Sequence, residues 1–174
     1  MAKEHTVKAF TQELDQLKSK VLEMAEECER QLAKAVYSLV ERDTKLAQDI
    51  IEGDTKINGL QSEVDELAIR MLALRQPMAL DLRNIVAAQK IAADFERIAD
   101  YAANIAKHVI NLDSIFLVKP IKSIVEMANA ALQMLRNVLD AYRELDVEKA
   151  VEVWHQDKEI DKIYFGLLAQ LRTM

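Results

Sequence analysis

Several residue types are scarce in this 174-residue chain, and each scarcity excludes a class of protein. The single cysteine, Cys28, excludes an internal disulfide, so the chain is not a small disulfide-stabilised secreted domain. The three glycines are too scattered to form a phosphate-binding loop. No apolar run approaches the roughly 18 residues that cross a bilayer, and residues 1–6 lack the apolar stretch of a signal peptide. We therefore predict a soluble cytoplasmic protein without direct membrane insertion.

Basic residues are fewer than acidic ones: the chain has 23 Lys and Arg residues and 29 Asp and Glu residues, which gives a net charge of −6. A nucleic-acid-binding protein needs a basic patch to replace the counterions around phosphates. We therefore do not expect nucleic acid to be the main partner.

Apolar residues are abundant and they recur at helical spacing. They make up 51% of the chain, and only two prolines and three glycines interrupt them. Steps of four and three residues between apolar positions predict amphipathic helices over roughly 7–41, 44–74, 78–112, 120–145 and 146–174. The short turns force neighbouring helices to be antiparallel. The prediction is an all-α protein: a first three-helix bundle over 7–112, a linker over 113–119, and the first two helices of a second bundle over 120–174.

A repeat supports this division. Shifting the chain by 103 residues places Glu41 on Glu144, Asp43 on Asp146, Ala47 on Ala150 and Asp54 on Asp157. A second copy of helix three would begin beyond the last residue, so we expect the chain to be a C-terminally truncated form of a longer protein. The missing helix would leave apolar side chains of helices four and five uncovered, and burying one such side chain fully contributes roughly 1.5–3 kcal/mol of stability. We therefore expect these two helices to pack against another chain, as a homo-oligomer such as a homodimer, or to splay apart.

Acidic and amide side chains lie beside the apolar seams of helices two and three. Glu96, Asp100 and Asn104 are four residues apart, and so are Asp54 and Asn58. Residues at this spacing share one face of a helix, where like charges repel by a few tenths of a kcal/mol. Two interpretations remain open: nearby Arg97 neutralises a solvated surface, or a hard cation is bound by several oxygens.

The run Arg75-Gln76-Pro77-Met78-Ala79-Leu80-Asp81-Leu82-Arg83, followed by Asp94-Phe95-Glu96-Arg97-Ile98-Ala99-Asp100 and Asn104, resembles the PhoU family of bacterial phosphate-uptake regulators. The first helix, with His5, Phe10 and Leu14 through Met24, is similar as well. The resemblance covers essentially the whole chain. It implies tandem three-helix bundles and a negative regulator of phosphate uptake and of the phosphate-starvation response. Its implied partners are the phosphate-sensing histidine kinase and the ATPase of the phosphate ABC transporter.

The resemblance also implies metal ions held by paired acidic motifs on the bundle surface, with iron or zinc as the metals. Carried over, the first site is Glu96 and Asp100 faced by Asp54 and Asn58, although an acid is preferred where Asn58 stands. The residues by themselves would suit magnesium, manganese, calcium or iron. In the second bundle only the pair Asp157 and Asp161 is present. Residues expected to support the motifs or to contact partners are Asp94, Arg97, Asn104, Arg75, Asp81 and Arg83.

Two alternatives stand beside this interpretation. The first is a metal-independent helical adaptor whose acidic stripes dock basic partners. The second is a carboxylate-bridged di-iron enzyme, suggested by the Glu152-x-x-His155 spacing. A di-iron site needs two such pairs and two further glutamates, and His155 is interpreted as a surface residue. Cys28 falls on the apolar seam, which predicts a buried side chain and not a nucleophile. We therefore predict a protein that is not an enzyme.

Overall fold

A computed structural model describes residues 2–111 and 120–172 of the chain, with side chains over 8–111 and 121–172. Within these residues there are five helices and no strand. They are α1 (Ala2–Glu41), α2 (Thr44–Arg75), α3 (Ala79–Asn111), α4 (Pro120–Glu144) and α5 (Val147–Arg172). The predicted all-α class is confirmed, and helix ends match within about two residues except at the start of α1. The predicted linker over 113–119, Leu112 and Met174 lie outside the described residues.

The chain divides into two compact units. Unit 1 comprises Met1–Arg30 and Glu52–Tyr101, and unit 2 comprises Gln31–Ile51 and Ala102–Met174. These units group parts of helices, whereas the predicted bundles group whole helices. The predicted bundle boundaries therefore stay a prediction.

The core of unit 1 is aliphatic, as the small number of aromatic residues predicts. Its most deeply buried large side chains are Val21, Met24 and Cys28 of α1, Ile57, Val64 and Met71 of α2, and Ile85 of α3. The helical spacing predicts an apolar seam on α3 through Ile91, Phe95, Ile98, Ala102, Ile105 and Val109, but at the three isoleucines the burial lies one position further along the chain. Ala92 and Ala99 are fully buried, while Ile91 and Ile98 are half-buried. Small side chains at the centre of a helix face allow close packing, and the larger isoleucines then fill the flanks.

Unit 2 contains a second apolar cluster and the α4–α5 pair. The cluster is formed by buried Ala35, Ala47, Ile50, Ala102, Ala106 and Val109. Helices α4 and α5 pack against each other, and Leu132, Leu135, Leu139, Val153 and Leu167 are buried. Large apolar side chains of α5 are exposed in the same unit, including Trp154 at 73% and Phe165 at 64%.

The turns α1–α2 and α4–α5 repeat each other in detail. Arg42 and Leu145 both have φ 57°, which is the left-handed conformation that ends a helix. The following aspartates donate their backbone N–H groups five residues back, Asp43 to the Ser38 carbonyl at 3.0 Å and Asp146 to the Ala141 carbonyl at 2.9 Å. The same aspartates cap the next helix. Equivalent residues are 103 positions apart, which supports the repeat found in the sequence.

Candidate functional site

The acidic face of unit 1 brings together carboxylates from two helices. α3 carries Glu96 and Asp100 one turn apart, and α2 carries Asp54. Partial burial raises the pKa of Glu96 above its ordinary value, and the negative charges of Asp100 and Asp54 raise this pKa further. Arg97 acts in the opposite direction, but its effect is smaller. The Glu96 carboxylate is therefore repelled by both Asp100 and Asp54, and the predicted metal site that pairs the two motifs stays a prediction.

Asp54 has an acceptor atom that the described residues leave unsatisfied. Its Oδ2 atom accepts a hydrogen bond from Asn58 Nδ2 at 3.2 Å. Its Oδ1 atom is buried and receives no hydrogen bond from the described part of the chain. Because a buried carboxylate oxygen without a donor is costly, this atom is suited to meet a cation.

The donor set fits a hard cation, because it consists of carboxylate and amide oxygens. The side chains are not drawn tightly together, however. Over residues 8–111 and 121–172 the structure contains no group of three or more His, Cys, Asp or Glu side chains arranged to hold a metal ion.

Two other predicted residues of α3, Arg97 and Asn104, have local partners of their own. Arg97 Nη1 lies 3.7 Å from Asp94 Oδ1, and both side chains are largely exposed. Asn104 Oδ1 accepts a hydrogen bond from Lys107 Nζ at 3.3 Å. The predicted neutralising role of Arg97 is therefore directed mainly at Asp94, and exposed pairs of this kind contribute little to stability.

The second acidic pair is placed differently. Asp157 and Asp161 are both exposed on α5, one turn apart. No third metal-binding side chain joins them in the part of the chain that the structure describes. The expectation that the second site is incomplete in this chain stays a prediction.

Arg75 connects the α2–α3 turn to α1. Its Nε and Nη2 atoms donate to the two carboxylate oxygens of Glu13 at 2.9 and 2.8 Å. The Arg75 guanidinium holds the pKa of Glu13 below its ordinary value. Sequence reasoning singled out Arg75 but missed Glu13, because a pair 62 residues apart leaves no periodic signal.

Asp81 lies in the first turn of α3, where the helix dipole favours an acid, and Arg83 is exposed nearby.

The residues that suggested enzyme chemistry are arranged as structural or surface groups. Cys28 is fully buried, donates to the Phe95 carbonyl oxygen at 3.3 Å, and has a pKa raised to about 12 by burial. The predicted role of Cys28 as a buried apolar residue is confirmed. Glu152 and His155 are exposed, and the His155 ring lies beside the Trp154 ring, with 5.3 Å between the ring centroids and 37° between the ring planes.

Comparison with known protein families gives a match over most of the chain. A family model described as the PhoU domain matches residues 21–109 and 124–174. The chain belongs to the PhoU family. The second PhoU match starts 103 positions after the first, which is the repeat distance read from the sequence. No helix among the described residues is long and apolar enough to cross a membrane.

Two relatives are named as accessory proteins of phosphate transport. The chain is 40% identical over 171 residues to a phosphate-specific transport system accessory protein PhoU homolog of Caulobacter vibrioides, covering 98% of this chain and 74% of the relative. It is 34% identical over 169 residues to the accessory protein PhoU of Escherichia coli, and this match covers 97% of this chain and 70% of the relative.

Solved PhoU structures share the fold. The crystal structure of PhoU from Pseudomonas aeruginosa superimposes with a TM-score of 0.90 at 34% identity, covering 94% of this chain and 79% of that one. The crystal structure of the phosphate transport system regulatory protein PhoU from Streptococcus pneumoniae gives a TM-score of 0.85 at 31% identity. This match covers 91% of this chain and 74% of that one. The predicted PhoU-like arrangement of tandem helical bundles is thereby confirmed.

Proposed function

We propose that this chain is a cytoplasmic, non-catalytic negative regulator of phosphate uptake and of the phosphate-starvation response. It acts by binding the phosphate-sensing histidine kinase and the ATPase of the phosphate ABC transporter. The observation that carries this proposal is membership of the PhoU family over most of the chain, together with relatives named as accessory proteins of phosphate transport.

A genetic experiment tests this function. Deleting the gene in its own organism should switch on a phosphate-starvation reporter in phosphate-rich medium, and expressing the chain again should restore repression. A reporter that stays repressed after deletion would contradict the proposal. Binding of the purified chain to the kinase and to the ATPase tests the partners separately.

We further propose that the acidic face of unit 1 holds a metal ion through Glu96, Asp100 and Asp54, with Asn58 beside them. The raised pKa of Glu96 and the unsatisfied Oδ1 atom of Asp54 support this part of the proposal. A bound cation would offset the repulsion between the carboxylates and satisfy the buried oxygen. Iron, zinc and magnesium are the metals to examine first.

Elemental analysis of protein purified without chelator tests the metal. The parent chain should carry about one equivalent or more, and the variant Glu96→Ala/Asp100→Ala should lose it. The matched control is Asp157→Ala/Asp161→Ala, which removes an exposed acidic pair of the same spacing on α5 and should keep the unit 1 metal. Helicity measured by circular dichroism must be the same in all three proteins.

Absence of metal from the parent would favour the adaptor alternative. In that case the acidic stripes dock a basic partner surface by charge alone. Glu96→Ala would then weaken partner binding in the presence of a chelator as strongly as in its absence.

A further inference from the structure

The end of unit 1 formed by the α2–α3 turn exposes apolar side chains along one groove. Gln89 Nε2 donates to Asp65 Oδ1 at 3.0 Å, which sets the register of the two antiparallel helices. Ile69 lies one turn beyond Asp65 and Val86 lies about one turn before Gln89, so both flank the same groove. Ile69 is 61% exposed and Val86 is 37% exposed. Leu82, one turn further toward the α2–α3 turn, is 41% exposed.

The turn next to this groove is held in a defined shape. Gln76 and Ala79 both have φ 49°, a conformation that residues with a side chain adopt only at an energetic cost. Two hydrogen bonds from Arg75 to Glu13 anchor the turn to α1. Met78 and Leu80 are nevertheless 80% and 68% exposed.

A row of basic residues borders the groove on α3. Arg83, Lys90 and Arg97 are exposed and seven residues apart, so they are two helical turns apart on the outer face. Within the described residues, Arg83 and Lys90 form no ion pair, whereas Arg97 lies 3.7 Å from Asp94 and also acts electrostatically on Glu96. In a chain with a net charge of −6, this row is complementary to an acidic partner.

We propose that this surface binds an amphipathic helix of a partner protein. We name it the α2–α3 docking face, formed by Ile69, Leu82, Val86, Arg83, Lys90 and Arg97. The partner helix presents an apolar stripe to the groove and, beside that stripe, acidic residues every seven positions that meet the basic row. The inference deepens the proposed function, since it names the surface through which the regulator contacts a partner.

A protein helix fits this face better than an anionic membrane does. Recognition of anionic lipid uses clusters of about four to eight basic residues. The docking face has three in a single row, and the α2 side of its groove carries Asp65 with Glu66 following it. Those carboxylates would be repelled by a lipid surface, whereas a narrow helix can contact the basic row and avoid them.

Photo-crosslinking in cells of the source organism tests the docking face. A photo-reactive amino acid replaces Val86 in the full chain, and the control places it at Val138 of α4, which is also 37% exposed. We expect position 86 to give an adduct with a protein, identified by mass spectrometry and mapped to a helix with the stated pattern. The control position should not give this adduct.

Charge reversal provides the second measurement. Arg83→Glu/Lys90→Glu should weaken binding of the identified partner about tenfold or more, equivalent to about 1.4 kcal/mol. The matched control is Lys158→Glu/Lys162→Glu on α5, which makes the same change in net charge at exposed positions and should leave affinity unchanged. Circular dichroism checks that both variants are folded.

The outcomes separate this inference from the proposed function. A lipid adduct, no adduct at position 86, or equal binding by the parent and Arg83→Glu/Lys90→Glu overturns the docking face. If the kinase or the ATPase binds the parent and the Arg83→Glu/Lys90→Glu variant equally, the proposed function stands without this face. If the partner mapped by crosslinking is neither the kinase nor the ATPase, the docking face stands and the proposed partners are wrong.

Discussion

At the scale of single residues, Glu27 shows how a buried charge is accommodated in a helical bundle. Its side chain is largely buried in unit 1, and its Oε2 atom accepts hydrogen bonds from Lys56 Nζ at 2.6 Å and from Arg30 Nη2. The two cations are more than half exposed. The carboxylate therefore carries most of the desolvation cost of this cluster.

Removing the two cations should destabilise the protein more than removing Glu27. Arg30→Ala/Lys56→Ala leaves a buried carboxylate without a partner, and we expect a loss of about 3 kcal/mol in the free energy of unfolding. Glu27→Met removes the buried charge and leaves two solvated cations, so the expected loss is below about 1 kcal/mol. Urea unfolding of both variants measures the difference. Equal losses would contradict the explanation.

Glu96 should make stability depend on pH in the metal-free protein. Its folded-state pKa is above the ordinary 4.5, so the folded state binds the proton more tightly and loses stability as the pH rises through and above 4.5. Glu96→Gln should therefore raise the melting temperature at pH 7 by about 0.4–2 °C, since a like-charge contact is worth about 0.2–0.5 kcal/mol. The gain should shrink below pH 4.5.

The control for this prediction is Glu66→Gln, which neutralises an exposed glutamate on α2. A gain for Glu96→Gln that persists below pH 4.5 would show that ionisation of Glu96 is not its cause. With a metal added that binds the acidic face, Glu96→Gln should become the less stable protein, because it lacks a charged ligand.

At the scale of helices and turns, the main difference from expectation is the burial of α3. The sequence pattern correctly located one apolar face, with Phe95, Ala102 and Val109 buried as predicted. It placed the isoleucines at the centre, because hydrophobicity alone ranks Ile above Ala. The structure places Ala92, Ala99 and Ala106 there, since the closest approach between helices is available only to small residues.

The repeated turns provide a test at this scale. Leu145 is 74% exposed and has φ 57°, so its side chain gains little from packing while its backbone is strained. Leu145→Gly should raise the free energy of unfolding by about 0.5–1 kcal/mol, because the relief of strain exceeds the added entropy of the unfolded chain. Thermal unfolding measures the change, and a loss of stability would contradict this account.

At the next residue, Asp146, we expect substitution to lower the free energy of unfolding. Asp146 Oδ1 accepts a hydrogen bond from the backbone N–H of Lys149 at 3.0 Å, which caps α5. Asp146→Ala should cost about 1 kcal/mol, and Asp146→Asn should cost much less because Asn is a good cap. Asp43 makes the same bond to the N–H of Leu46 at 2.9 Å, so Asp43→Ala should behave like its equivalent in the repeat.

At the scale of the whole molecule, the exposed apolar side chains of α5 bear on association. Trp154 and Phe165 are mostly exposed, and each would gain roughly 1.5–3 kcal/mol if fully covered. We expect the chain to self-associate at high concentration. The fluorescence emission of its single tryptophan should then shift to shorter wavelength, because association covers the indole ring. Light scattering should show a lower mass for Trp154→Lys/Phe165→Lys.

Tyr37→Lys is the control for association, since it places a lysine at another exposed aromatic position, 58% exposed on α1. It should leave the mass unchanged. A monomeric parent at high concentration would contradict the expectation that α5 packs against another copy.

The sequence by itself determined the all-α class, the five helices, the 103-residue repeat and the family. These follow from local periodicity, from capping residues and from motifs that are contiguous in the chain, all of which the order of the amino acids records. Only the tertiary structure decided which residues meet across helices. The Glu13–Arg75 pair, the alanine-centred packing of α3 and the groove set by Asp65 and Gln89 depend on helix register and rotation. Such contacts join residues far apart in the chain, and no local pattern encodes them.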